Sequence, residues 1–172
     1  MTPRRRQLLW ICVALLITLC LDQSTKFALI RTLPEGSVWP KGSPHRLFWF
    51  AHERNTGLVG GLFSDIPLVA YVAPLMACGV LVYLFRHLNM ASRVQSAAYG
   101  MIAGGAAGNL LDRIRLGSVT DFLQFHFYFV PFDFPWKRWP AFNIADSSIC
   151  VGVFLLIVGW HKMESGNVAR NR

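Results

Sequence analysis

The sequence predicts an all-α polytopic membrane protein, a four-transmembrane-helix bundle carrying a small external interfacial β-sheet and an external aromatic loop. Three observations predict it. Hydrophobic residues make up 53% of the 172 positions and charged residues only 15%, against about a quarter charged in an average soluble domain. The apolar residues gather into four runs on the scale needed to cross about 30 Å of hydrocarbon at about 1.5 Å per helical residue. The two long stretches between these runs concentrate aromatic side chains of the kind that settle at membrane–water interfaces.

The first run follows Arg4, Arg5 and Arg6 and extends over about 8–30. Leu8 to Leu21 alone has the basic start and short apolar region of a cleavable signal peptide, but three later spans argue against cleavage. Thr18 and Leu19 ahead of Cys20 also lack the small residues a lipoprotein-type cleavage box requires. The second span, Ile66 to Phe85, is uncharged between Asp65 and Arg86. The third, about 94–111, carries Gly100, Gly104 and Gly108 at intervals of four, a small-residue stripe that admits a neighbouring helix closely. The fourth, 142–160, opens with Asn143, Asp146, Ser147 and Ser148, so its polar groups cluster at one end. No repeat or linker divides the chain, which reads as one membrane-embedded domain over 1–172.

Four spans place both termini on one side. Residues 1–7, 86–93 and 161–172 hold eight Lys or Arg in 27 positions, whereas 31–65 and 112–140 hold eight in 64. The denser side is cytoplasmic. The loops then face outward, the first with Leu47, Phe48, Trp49 and Phe50, the second with Phe125, Phe127, Tyr128, Phe129, Phe132, Phe134, Trp136 and Trp139. Alternation over 46–52 predicts a short strand.

The net charge of +8 does not point to nucleic acid, because the basic residues lie between apolar runs rather than on one polar face. Cys12, Cys20, Cys78 and Cys150 sit within apolar runs and lack the paired spacing of a zinc site or disulfide framework. His45, His52, His87, His126 and His161 form no His-Glu-x-x-His motif. Gly-x-Ser-x-Gly and Gly-x-Gly-Asp are also absent.

Four of the nine acidic residues, Asp22, Asp112, Asp121 and Asp146, fall at the outward ends of the spans. An ionisable group at such a depth needs a partner or a function. Asp22 and Lys26 are four apart and can pair on one helical face. Asn109, Asp112 and Arg113 follow at i, i+3 and i+4, with Asn109 on the side of the glycine stripe. Arg113 can hold a carboxylate through two parallel hydrogen bonds, as a structural clamp or as support for a site. Asp121 and Asp146 have no basic residue at helical spacing, and Asn143 precedes Asp146 by three. Two carboxylates brought together near apolar surface share a proton and can divide acid and base roles toward a water. Isolated polar anchors are the alternative.

Five segments in this order resemble the motifs of the signal peptidase II family, the bacterial lipoprotein (prolipoprotein) signal peptidases. They are Asp22-Gln23-Ser24-Thr25-Lys26, Asn55-Thr56-Gly57, the block from Gly104 to Arg113, Val119-Thr120-Asp121-Phe122 and Phe142-Asn143-Ile144-Ala145-Asp146-Ser147. One departure is Leu58-Val59-Gly60-Gly61, where the family usually has a small and then an aromatic or apolar residue. The resemblance implies an inner-membrane aspartic endopeptidase that removes the signal peptide of diacylglyceryl-modified prolipoproteins just before the lipidated cysteine. It implies Asp121 and Asp146 as the catalytic dyad. Asp22, Lys26, Asn55, Gly57, Asn109, Arg113 and Asn143 would support the site or hold substrate, and Asp112, Gly104 and Gly108 would be structural. No cofactor, metal or nucleic acid is expected, and the protein would work as a monomer with membrane lipid around it. A small proton-coupled transporter using Asp22, Asp112 and Asp146, or a non-catalytic membrane assembly factor, are the competing classes.

Overall fold

The computed structural model describes residues 2–41, 47–87, 92–132 and 137–170. Expectations resting on His45, Arg46, Phe134 and Trp136, or on the side chains of Cys78, His87 and His161, lie outside the described residues. Along the described chain run α1 (Pro3–Thr32), β1 (Val38–Trp39), β2 (Phe48–Asn55), a 3-10 turn at Val59–Gly61, α2 (Pro67–His87), α3 (Arg93–Leu116), β3 (Val119–Phe125) and α4 (Ile144–Arg170).

Each apolar run forms a helix, and capping groups set where the helix begins and ends. Thr2 accepts a hydrogen bond from the Arg5 N–H, and Pro3 suits the first turn, so α1 starts ahead of residue 8. Helix α3 continues past 111 to Leu116 because Gly117, at φ 71°, turns the backbone left-handed and returns its N–H to the Arg113 carbonyl.

Helix α3 is central. A Cβ added at Gly104 would stand 2.7 Å from the Leu15 carbonyl oxygen of α1, and one at Gly105 would stand 2.5 Å from that of Ala145 in α4. The small residues therefore bring α3 to backbone contact on two faces. Helix α2 packs more sparsely on α3, mainly through Tyr99, whose hydroxyl donates to the Leu81 carbonyl at 2.6 Å and whose ring lies 5.6 Å from that of Phe85. A groove consequently stays open between α2 and α4. Large apolar side chains remain exposed on the outer faces, among them Leu16, Leu75, Met76 and Phe154, which fits lipid rather than water around the helices. By length and composition α1 alone among the described helices suffices to cross a membrane, and the apolar stretches of α2 and α4 are shorter.

The expected strand is present as β2, in an antiparallel sheet of order β1-β2-β3. Strand β3 was not legible and lies within what the sequence suggests is an aromatic loop. It pairs Glu53 with Asp121 and Asn55 with Val119. Its other edge bonds Phe142 in both directions, at 2.9 and 2.7 Å with Leu123. That bridge ties the strand carrying Asp121 to the residues that open α4.

Candidate active site

Asn143 immediately precedes α4 and caps it. Its side-chain oxygen accepts from the Asp146 N–H at 2.9 Å, while its own N–H donates to Asp146 Oδ2 at 3.1 Å, a reciprocal capping box. The same Asn143 sends Nδ2 to Asp121 Oδ1 at 2.7 Å. One residue thus holds both carboxylates, one through backbone and the other through side chain. The second oxygen of Asp121 accepts from Asn55 Nδ2 at 2.9 Å, and Asp146 Oδ1 accepts from Asn109 Nδ2 at 2.7 Å. Asp121 is 3% exposed. Burial pushes its carboxyl up to about 7, and the neighbouring Asp146 charge adds to the rise. A pair in which one member keeps its proton near neutrality can supply an acid and a base together.

Beneath the pair lies a buried ionic cluster. Lys26 meets Asp22 at 2.8 Å and Asp112 at 3.0 Å, and all three side chains are at most 3% exposed. Lys26 also donates to Asn109 Oδ1 at 3.0 Å. Asp22 Oδ1 takes the Ala145 N–H in the first turn of α4, and Asp112 Oδ2 takes the Thr120 N–H that begins β3. A Cβ at Gly108 would lie 2.5 Å from Asp22 Oδ2, so glycine is what leaves room for the cluster. The expected Asp22–Lys26 pair is present, and Asp112 belongs to the same ion cluster.

Arg113 differs from the expectation. Among the described residues it grips no carboxylate; its Nη2 donates to the Gly57 carbonyl at 2.7 Å and its Nη1 to the Asn109 carbonyl at 3.3 Å, while Nε is buried with no partner among those residues. The nearby acids are already taken up by asparagines and Lys26, so the guanidinium joins α3 to the loop after β2 instead. In that loop a Cβ on Gly57 would collide with the Leu62 and Gly61 carbonyls. Gly57 N–H donates to Asn55 Oδ1, which turns the Asn55 amide toward Asp121. The unusual glycines explain themselves here: Gly60 at φ 63° and Gly61 at φ 80° adopt the left-handed region and return the chain so that Leu58 N–H reaches the Leu62 carbonyl.

The structure therefore gathers Asp121, Asp146, Asn55, Asn109 and Asn143 into one cluster and sets Asp22, Lys26 and Asp112 against it. Arg113 and Gly57 shape the adjoining loop, and Gly104 serves helix packing. Two contributors carried no assigned role in the sequence. Gln23 donates to Asp112 Oδ1 at 3.0 Å and to Asp22 Oδ2 at 3.1 Å. Thr120 accepts from Arg54 at 2.8 Å. Both lie inside the quoted motifs, which was the available signal. A mainly apolar groove of about 570 Å³ runs past the pair, lined by Ala77 of α2, Ala106 and Arg113 of α3 and Ile149 of α4.

The family described as signal peptidase (SPase) II matches residues 14–161. A lipoprotein signal peptidase of Geobacter sulfurreducens is 40% identical over 86% of this chain and 88% of its own. One of Aeromonas hydrophila is 33% identical over 95% of each chain. Two solved structures of a bacterial membrane enzyme, obtained by the in meso method, match with TM-scores of 0.73 and 0.69 at 29% and 27% identity. They cover 91% and 87% of this chain, and 90% and 91% of theirs.

Proposed function

The chain belongs to the signal peptidase II family, and from that premise we propose that it is an intramembrane aspartic endopeptidase with Asp121 and Asp146 as its catalytic dyad. Its substrate is a prolipoprotein carrying a diacylglyceryl-cysteine, cut just before that cysteine. The observation that carries the assignment is Asn143, which bonds both carboxylates and so sets two acids, from a strand and from a helix, around one reacting centre.

In this reading one carboxylate takes a proton from water as the water oxygen attacks the scissile carbonyl carbon. The other donates a proton as the C–N bond breaks and the cysteine nitrogen leaves. The asparagines hold the pair from outside the reacting face. Lys26, acting through Asn109, biases Asp146 toward the ionised role, leaving Asp121 to carry the proton. The apolar groove between α2, α3 and α4 receives the signal peptide. The lipid anchors the substrate at the interface, at ~0.8 kcal/mol per buried methylene.

All four helices span the bacterial inner membrane as one protease domain, with both termini cytoplasmic and the dyad near the outer face. Helix α3 needs little apolar surface for this because α1 and α4 cover it. The enzyme works as a monomer, surrounded by lipid. Purified protein incubated with a diacylglyceryl-modified prolipoprotein peptide tests the proposal: release of the signal peptide at the bond before the cysteine is expected, and an intact peptide would refute it.

A further inference from the structure

Asp121 lines two grooves rather than one. The apolar groove runs between helices, whereas a second, of about 400 Å³, opens over the sheet and is lined by Glu53, Arg54, Gln124 and Arg138 in addition to Asp121. Asn55, Gly60 and Pro140 border both grooves as Asp121 does, so the two meet at Asp121, while Asp146 lines the apolar one alone. A peptide cut there must leave in two directions. Its apolar half matches the helical groove, and the polar chain that follows matches the sheet-side groove.

The charges of the second groove are arranged unequally. Glu53 stands opposite Asp121 in the strand register, at a separation of about 5 Å, which an extended chain covers in about two residues. Its Oε1 is already held by Gln124 at 3.2 Å and by Arg138 at 2.7 Å. The Arg138 side chain is 55% exposed, and a guanidinium carries five N–H donors, so one bond does not exhaust it. An incoming carboxylate can move onto Arg138 while Gln124 keeps Glu53. An incoming ammonium would have to share Glu53 with Arg138, in a groove where Arg54 adds a second positive charge.

We propose that this polar groove is the subsite for the first residues of the mature lipoprotein, and that Arg138 selects acidic over basic side chains in the two positions after the cysteine. The proposal rests on the peptidase reading and adds a specificity to it.

The test uses the full-length protein in lipid nanodiscs and diacylglyceryl-modified prolipoprotein peptides that differ only in one of those two positions, carrying Asp, Ser or Lys. The readout is the ratio of kcat/KM for the Asp and Lys peptides within each variant. Wild type should favour Asp by roughly 2- to 5-fold, the scale of a partly exposed ion pair. Arg138→Gln should bring the ratio toward unity, and Arg138→Glu should invert it. Equal cutting of Asp and Lys peptides by wild type, or an unchanged ratio in Arg138→Glu, would overturn the subsite while leaving the peptidase reading in place. Failure of wild type to cut any peptide would remove both.

Discussion

Lys26 and Asp146 do not touch, yet one amide joins them. Lys26 Nζ donates to Asn109 Oδ1 at 3.0 Å and Asn109 Nδ2 donates to Asp146 Oδ1 at 2.7 Å. The cation fixes which way the Asn109 amide faces, so the carboxylate meets an NH2 rather than an oxygen. A buried ion cluster and the proposed dyad are therefore one hydrogen-bonded unit. Replacing Lys26 with Met should leave Asp22 and Asp112 buried without their counter-charge, a loss of about 3–5 kcal/mol. Thermal unfolding in detergent micelles measures this, and a variant as stable as wild type would contradict it.

Arg113→Lys tests the span between Gly57 and Asn109. A single ammonium cannot reproduce both contacts of the planar guanidinium. Losing one charge-assisted bond predicts about a tenfold fall in kcat/KM with the fold retained. Wild-type cleavage by the lysine variant would show that only the charge matters.

The raised carboxyl of Asp121 predicts two pH effects. Its proton is held up to about 7 rather than lost near the ordinary carboxyl value of 3.8, so the alkaline limb of kcat should have its midpoint close to 7. Stability has a definite sign. Between those values the folded protein binds more protons than the unfolded chain, so the contribution of this group is complete below about 4 and is lost as pH rises through 7. The stability margin of wild type over Asp121→Asn should therefore shrink between pH 4 and pH 8. A margin that is constant or grows with pH would exclude a buried, protonated Asp121.

The proposed topology places residue 130 outside and residue 90 in the cytoplasm. Reporter fusions at the two positions should give opposite signals. An external signal from residue 90, or a cytoplasmic one from residue 130, would reverse it.

What could be read in advance follows from which forces leave a local trace. The four helices are legible because each is built on a long apolar run, and a close neighbour for α3 is legible because Gly100, Gly104 and Gly108 repeat every four residues, although nothing in that spacing says that the neighbour is α1. Strand β3 is not. Val119, Thr120, Asp121 and Phe122 are all buried, so no alternation of polar and apolar positions marks the strand. The pairing of Asp22 with Lys26 is a local spacing and could be foreseen. The partner of Arg113, Gly57, lies 56 residues away and is a backbone carbonyl, which leaves no mark in side-chain chemistry. The two aspartates could be nominated from their lack of basic neighbours, but that Asn143 bonds both depends on the Leu123–Phe142 bridge, a tertiary contact.

The central claim is that Asp121 and Asp146 act as one catalytic unit, and the most direct measurement is cleavage of a diacylglyceryl-modified prolipoprotein peptide by purified Asp121→Asn, Asp146→Asn and the double variant. Each single variant should be folded and inactive, and the double scarcely worse than either, because groups that act together are not additive. Substantial cleavage by either folded single variant would contradict the account.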